Sequence, residues 1–128
     1  MDAFILYGCS MNINRVTLLG RLTHDPEVRK TTNGKDVAAF SLATNRSWKD
    51  GDEWKSLVDY HNIVAWQVLA EKVMALAKGD LVFVEGRIQH RKWQGKDGVN
   101  RTRSEIVADK VSLLEARASR ARAAEAQA

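Results

Sequence analysis

The chain has 128 residues, of which 45% are hydrophobic and 28% are charged, a composition typical of one soluble globular domain. Its formal net charge of +4 favours an anionic partner, either nucleic acid or a membrane surface. The single cysteine, Cys9, excludes an internal disulfide, and no apolar run approaches the ~18 residues needed to span a bilayer.

The two ends of the chain differ in composition from its middle. The apolar patch Phe4 to Tyr7 is shorter than the ~7–15 residues of a signal-peptide core and follows no basic segment. We therefore predict a flexible leader over 1–11, a folded domain over 12–115 and an Ala/Arg-rich tail over 116–128. The tail has helix propensity but no apolar face, so we expect it to be flexible or a frayed helix. Met11 leaves open a second translation start.

The first half of the domain predicts three strands. Residues 14–23 alternate between apolar and polar side chains, and Gly20 on the apolar face suits a bulge or a sharp bend. Residues 36–45 and 57–66 predict the second and third strands. The residues between these two strands, 46–56, are polar, charged and glycine-containing, which predicts a long hairpin loop.

The period of the apolar residues changes at Gln67. From there they recur at helical spacing, at Leu69, Val73 and Leu76. Lys78-Gly79 predicts the end of this helix. Residues 81–93 and 101–114 then predict two long strands, joined by a turn at 95–98.

The predicted order is strand, strand, strand, helix, strand, strand. One helix between the third and fourth of five short antiparallel strands predicts an all-β protein with one helix, a five-stranded OB-fold barrel (β-β-β-α-β-β). That fold is used to bind oligonucleotides and oligosaccharides. Since a fold does not fix a function, the surface residues must decide.

Residues 86–103 carry most of the functional signal. They contain six Lys and Arg against one Asp, so the positive charge of the chain is concentrated around Trp93. Cations pair with phosphates, and an exposed indole offers a face on which any base can stack. The alternative is an ordinary solvated hairpin with one packed tryptophan.

Further aromatic residues precede this stretch. Trp48 lies among polar residues, which argues against a place in the core. Tyr60 and Trp66 have the same strand parity and therefore face the same side, which is either core or a groove with Asn62 as a polar spacer. For Trp54 two roles stay open: it is either a loop anchor or an additional contact.

Several blocks with their joint spacing resemble bacterial and mitochondrial single-stranded DNA-binding proteins. They are N-R-V-T-L-L-G-R-L-T-H-D-P-E-V-R, N-G-K-D-V-A-A-F-S-L-A-T-N-R-S-W, D-Y-H-N-I-V-A-W, L-A-E-K-V, K-G-D-L-V-F-V-E-G-R-I and R-K-W. The resemblance covers roughly Asn12 to Glu115. Each block alone is weak, whereas their order and spacing together are highly specific.

The resemblance implies the binding residues. In that family bases stack on aromatic side chains at four positions, matched here by Trp48, Tyr60, Trp66 and Trp93. Tyr60 and Trp66 differ in type from the commonest residues there, Trp and Phe, but keep a stacking face. We expect phosphate neutralisation by seven cationic side chains: Arg15, Arg21, Lys49, Lys78, Arg87, Arg91 and Lys92.

The resemblance also implies partners. His61 matches a family histidine at a subunit contact, and the family assembles as a homotetramer with DNA wrapped around it. The bacterial family usually ends in a short acidic tip closing in Pro-Phe, which docks replication and repair proteins. This sequence ends R-A-R-A-A-E-A-Q-A instead, which leaves protein partners by that route open.

Signals of an enzyme are poor in this sequence. Its three histidines are scattered, and one cysteine cannot build a zinc site with them at any familiar spacing. Asp50, Asp52 and Glu53 imitate a metal-binding nuclease cluster, but a flexible acidic loop is the favoured interpretation. We therefore expect no catalytic residues, metal or cofactor.

These observations predict a non-enzymatic protein that binds and protects single-stranded DNA, with little sequence preference, during replication, recombination or repair. We expect it in the cytoplasm with the nucleoid and not at a membrane. One alternative is an OB-fold primosomal accessory protein that binds protein partners as well as nucleic acid, for which fewer aromatics are expected. A second is an OB-fold nuclease, and RNA binding stays open.

Overall fold

The computed structural model describes residues 11–117, which form six strands and one helix. Their bounds are β1 Val16–Leu22, β2 Glu27–Lys30, β3 Asp36–Asp50, β4 Glu53–Trp66, α1 Val68–Met74, β5 Leu81–Gln94 and β6 Asn100–Glu115. The predicted leader up to residue 10 and the predicted tail from residue 118 lie outside the described residues.

Five of the strands close into a barrel. Hydrogen bonds join them in the order β1-β5-β6-β4-β3, and a short β1–β3 pairing at Arg21↔Ala43 and Leu22↔Leu42 closes the ring. All of these pairings are antiparallel except β4–β6. With α1 between β4 and β5, this is the predicted OB-fold barrel, and that prediction is confirmed.

Two segments differ from their predictions. Residues 46–56 are not a long loop, because β3 and β4 continue to Asp50 and Glu53 and are joined by a two-residue turn. Gly51 in that turn has φ 64°, a conformation that glycine adopts without strain. In addition, β2 pairs along β3 although no strand was predicted there. Both segments are exposed on both faces, so neither shows the alternation by which a half-buried strand is recognised.

The helix is shorter than its apolar spacing predicts. It ends at Met74, and Leu76 is buried just beyond that end. Gly79 has φ 90°, and its amide donates to the carbonyl of Leu22 at 2.9 Å. The chain therefore leaves the helix early and crosses the end of β1 before β5 begins.

The core lies inside the barrel and under α1. Its fully buried members include Leu42 from β3, Ile63 from β4, Val84 from β5 and Val111 from β6. From the helix, Val73 packs against this cluster. Burying such a side chain contributes about 1.5–3 kcal/mol, so the barrel holds most of the apolar stabilisation.

Glycine is required where β1 meets β3. The β1–β5 pairing keeps its register through Gly20, so of the predicted bulge or sharp bend this glycine does not mark a bulge. A Cβ atom at Gly20 would lie 2.5 Å from the carbonyl oxygen of Ala43. The residue is therefore explained by the close approach of the two strands that close the barrel.

Two hairpins continue beyond the barrel with both faces in solvent. We call residues 45–58 of the β3–β4 hairpin the first arm and residues 90–104 of the β5–β6 hairpin the second arm. The β4–β6 pairing is limited to Ile63↔Ile106 and Val64↔Val107. Beyond those pairs the two arms are not paired to each other, and a cleft separates them.

Candidate nucleic-acid interface

The register of β3 and β4 determines which side chains point away from the core. Leu42↔His61 and Phe40↔Ile63 are pairs on the core side. The pairs that alternate with them, Ser41↔Asn62 and Ala43↔Tyr60, therefore face outward. Val37↔Trp66 continues the outward row. Tyr60 is 68% exposed, whereas Trp66 is half-buried. The shared side predicted for Tyr60 and Trp66 is therefore the outside of the barrel, and Tyr60 is not a core residue.

The second arm extends the same outer row. Ile106 faces the core opposite Ile88, so Gln89, Arg91 and Trp93 point outward. Trp93 is 45% exposed, which excludes full burial in the hairpin. We call this side of β3, β4, β6 and β5 the outer face. It carries three of the four predicted stacking residues, Tyr60, Trp66 and Trp93.

Arginines surround a groove on the outer face. The groove has a volume of about 200 Å³ and includes Asn62, Arg29, Arg91 and Arg103 in its lining. Arg91 Nε lies 3.7 Å from Oε1 of the buried Glu105. Arg91 and Glu105 both line the groove, so an anionic ligand there would share this guanidinium with the carboxylate.

A larger depression lies at the end of the second arm. Its volume is about 510 Å³, and Trp93 and Lys92 line it on β5. Arg101, the cross-strand neighbour of Trp93, lines it on β6. An indole face beside a cross-strand cation, Arg101, offers both stacking and a phosphate contact in one place.

The structure separates Trp48 from the other three aromatics. Trp48 pairs with Lys55 and belongs to the row that faces the core within the barrel, so on the first arm it lies opposite the outer face. It is 38% exposed, and the guanidinium carbon of Arg46 lies 5.5 Å from its ring centroid, a cation–π distance. The indole is therefore held in place, but it does not share the surface of Tyr60.

The predicted cations fall into different environments. Arg91 and Lys92 line the cavities of the second arm, although they lie on opposite faces of β5. Arg87 is exposed on the outward side of β5, and Lys49 faces Trp54 across the first arm. These four remain candidates for phosphate contact.

The remaining three cations lie on or beside other elements. Arg15 is exposed just before β1, and Lys78 is exposed between α1 and β5. Arg21 is engaged within the chain, because it donates to the carbonyl of Gly79 at 2.9 Å and lies 3.6 Å from Glu115. An anion at Arg21 would have to compete with these contacts.

Two basic residues of the second arm were absent from the predicted set. Arg101 and Arg103 lie in the basic stretch, and their spacing of two places both on the outward side of β6. Their cross-strand neighbours are Trp93 and Arg91, respectively. The alternation R-T-R was thus the signal that could have found them.

His61 lies on the core side of β4 at the opening of the barrel. Its Nε2 lies 2.8 Å from the hydroxyl of Thr44, which is hydrogen-bond distance. Together with Ile88 and Ile106 it lines a cleft of about 200 Å³ between the two hairpins. The subunit contact implied for His61 stays a prediction.

The acidic residues of the first arm are engaged or dispersed. Asp50 forms an ion pair with Lys55 at 2.7 Å. Between Met11 and Arg117, no three His, Cys, Asp or Glu side chains group closely enough to hold a metal ion. Across the same residues, no helix is both long and apolar enough to cross a membrane.

Comparison with known proteins adds independent findings. Residues 13–114 match the model of the single-strand binding protein family. A single-stranded DNA-binding protein of Neisseria meningitidis serogroup A is 47% identical over 106 residues, which cover 81% of this chain and 61% of the relative. Single-stranded DNA-binding protein 2 of Staphylococcus aureus is 43% identical over 104 residues, covering 80% of this chain and 73% of the relative.

A solved structure has the same fold. The complex of Plasmodium falciparum SSB with single-stranded DNA matches with a TM-score of 0.72 and 32% identity, covering 84% of this chain and 98% of the other. The chain spans about three fifths of the length of the Neisseria relative.

Proposed function

Because this chain belongs to the single-strand binding protein family, we propose that it binds single-stranded DNA along its outer face and second arm. One observation carries this proposal: Tyr60 on β4 and Arg91 and Trp93 on β5 all lie on the outer face, so exposed rings and a cation share one surface. Stacking contributes about 1–3 kcal/mol per base, and neither stacking nor phosphate contact depends on base identity. Little sequence preference follows.

The proposed role is to hold and protect single strands during replication, recombination or repair. The family and its members are named for binding, and we infer that this chain is likewise a binding protein and not an enzyme. We place it in the cytoplasm with the nucleoid, where single-stranded DNA is its ligand. Its protein partners stay open.

We also propose that the chain assembles as a homotetramer. Exposed apolar side chains outside the outer row support a further interface: Leu19 is 52% exposed, and Leu113 and Leu114 are 44% and 57% exposed. His61 is proposed for a subunit contact. If so, His61→Tyr should weaken assembly, measured by light scattering during dilution, before it weakens DNA contact. A variant that stays assembled at micromolar concentration would disprove the placement.

One titration tests the proposed function. Tryptophan emission is followed while oligo-dT, oligo-U or duplex DNA of equal length is added. Single strands should quench emission strongly, because bases stack directly on Trp93 and Trp66. Unchanged emission at saturating oligo-dT would overturn the proposal, and stronger quenching by oligo-U would redirect it to RNA. A cleavage assay with Mg²⁺ separates the nuclease alternative.

A further inference from the structure

The tip of the first arm holds two tryptophans in a nearly symmetric arrangement. Trp48 of β3 lies across from Lys55, and Trp54 of β4 lies across from Lys49. These two pairs are adjacent in the ladder, so they point to opposite faces of the hairpin. Each indole thus has a lysine beside it on its own face.

Trp54 is far more exposed than a structural anchor would be. It is 72% exposed, compared with 38% for Trp48 and 68% for Tyr60. The open choice between a loop anchor and an additional contact is therefore decided against the anchor. A large apolar ring that gains little from packing on its own chain is available to a ligand.

The position of Trp54 relates it to the outer face. Residues 54, 56, 58 and 60 share one side of β4, so Trp54 and Tyr60 face the same way about 20 Å apart. The side chains between them are small or of modest size: Ser56 and Val58 on β4, with Ser47 and Asn45 opposite. A strand lying on Tyr60 can therefore continue along this side without meeting a bulky obstacle.

We propose that Trp54 and Lys49 form an additional nucleotide site, in which the indole stacks a base and the ammonium contacts its phosphate. This inference rests on the proposed function and extends the path of the single strand from the barrel to the tip of the first arm. The ring stacks any base, so the site adds affinity and length without adding sequence preference.

The experiment compares Trp54→Ala and Trp54→Phe with the native chain. Met74→Ala is the matched control, because Met74 is 57% exposed on α1, outside the first arm. Affinity is measured for oligo-dT of increasing length. Trp54→Ala should bind long oligonucleotides about 5- to 150-fold more weakly and reach its maximum affinity at a shorter length. Trp54→Phe should recover most of this loss, and Met74→Ala should match the native chain.

Charge at the same site gives a second measurement. Lys49→Ala should flatten the dependence of log affinity on log salt by about 0.7 for long oligo-dT, if it neutralises one phosphate. Short oligonucleotides, which do not need this site, should show a smaller change.

Three outcomes separate the possibilities. If Trp54→Ala binds every length as the native chain does, the additional site is wrong while the proposed function stands. If the native chain itself does not bind oligo-dT, the proposed function is wrong. If Trp54→Ala loses assembly by light scattering, the indole belongs to a contact with a second copy of the chain, and the nucleotide site is overturned.

Discussion

The barrel and the two arms are built from the same strands but differ in the burial of their side chains. Along β3, residues 37–42 are buried except for Ala39, whereas residues 45–50 are all exposed. The β3–β4 ladder continues through both parts without a register shift. The backbone pairing therefore provides one rigid scaffold, while burial divides it into a part that stabilises the fold and a part that is free to contact ligands.

Polar groups show the same division. Inside, the buried Asp80 accepts hydrogen bonds from the amides of Ala77 and Arg117, which compensate for its removal from water. On the arms, ion pairs such as Asp97–Arg101 are exposed, and pairs of this kind contribute only about 0–1 kcal/mol to stability. Arm residues can therefore be replaced with little effect on folding, which makes the comparison testable.

The largest effect is expected in the barrel. Leu42→Ala should reduce the free energy of unfolding by about 2–5 kcal/mol, because Leu42 is completely buried and its removal leaves a cavity. Urea unfolding measures this change. Affinity for oligo-dT, measured where the variant is still folded, should stay near that of the native chain. A loss of affinity in the folded variant would show that the barrel and the binding surface are not separable.

The next effect is expected on the second arm. Trp93→Ala should weaken oligo-dT binding by about 1–3 kcal/mol at every salt concentration, because it removes one stacked base and no charge. The melting temperature should stay unchanged. Val99→Ala is the control, since Val99 is 53% exposed in the same hairpin. A lower melting temperature with unchanged affinity for oligo-dT would show that Trp93 is a packing residue of the hairpin and does not belong to the binding site.

The same comparison explains which predictions succeeded. The shared side of Tyr60 and Trp66 could be predicted, because strand alternation gives both residues the same parity. Whether that side is core or groove could not, and the burial of Ile63 and Ala65 on the other side of β4 decides it. The first arm could not be recognised as a hairpin ladder, because neither of its sides is buried. The face of Trp48 follows from its parity with Leu42 along β3, and a loop prediction carries no strand parity.

Two further variants compare the two sides of the second arm. Arg91 is on the outer face, whereas Lys92 is on the other side of β5. If each neutralised one phosphate, each substitution by Ala would flatten the salt dependence of log affinity by about 0.7. We expect that change for Arg91→Ala and a smaller one for Lys92→Ala, because the proposed path follows the outer face. Equal changes would show that the strand contacts both sides of the arm.

The smallest effect is expected at the turn of the second arm. The amide of Val99 and the guanidinium of Arg101 hold the pKa of Asp97 below its ordinary value of 3.8. A carboxyl group whose pKa is lowered by folding stabilises the folded state above its unfolded pKa, and this contribution is lost as the pH falls through the lower, folded value. The turn should therefore keep this contribution at neutral pH and lose it only in acid below pH 3.8, and a carboxyl NMR titration of Asp97 can follow the change.

The same ion pair links the turn to the binding surface. Asp97 competes with phosphate for Arg101, which lines the depression beside Trp93. Asp97→Asn should therefore tighten oligo-dT binding slightly at low salt and have no effect at high salt, where screening removes the difference. Its melting temperature at neutral pH should stay close to the native value, because an exposed pair contributes little to stability. If Asp97→Asn instead weakens binding at low salt, the ion pair positions Arg101 for the strand, and the second arm depends on its own turn for function as the barrel depends on its core for stability.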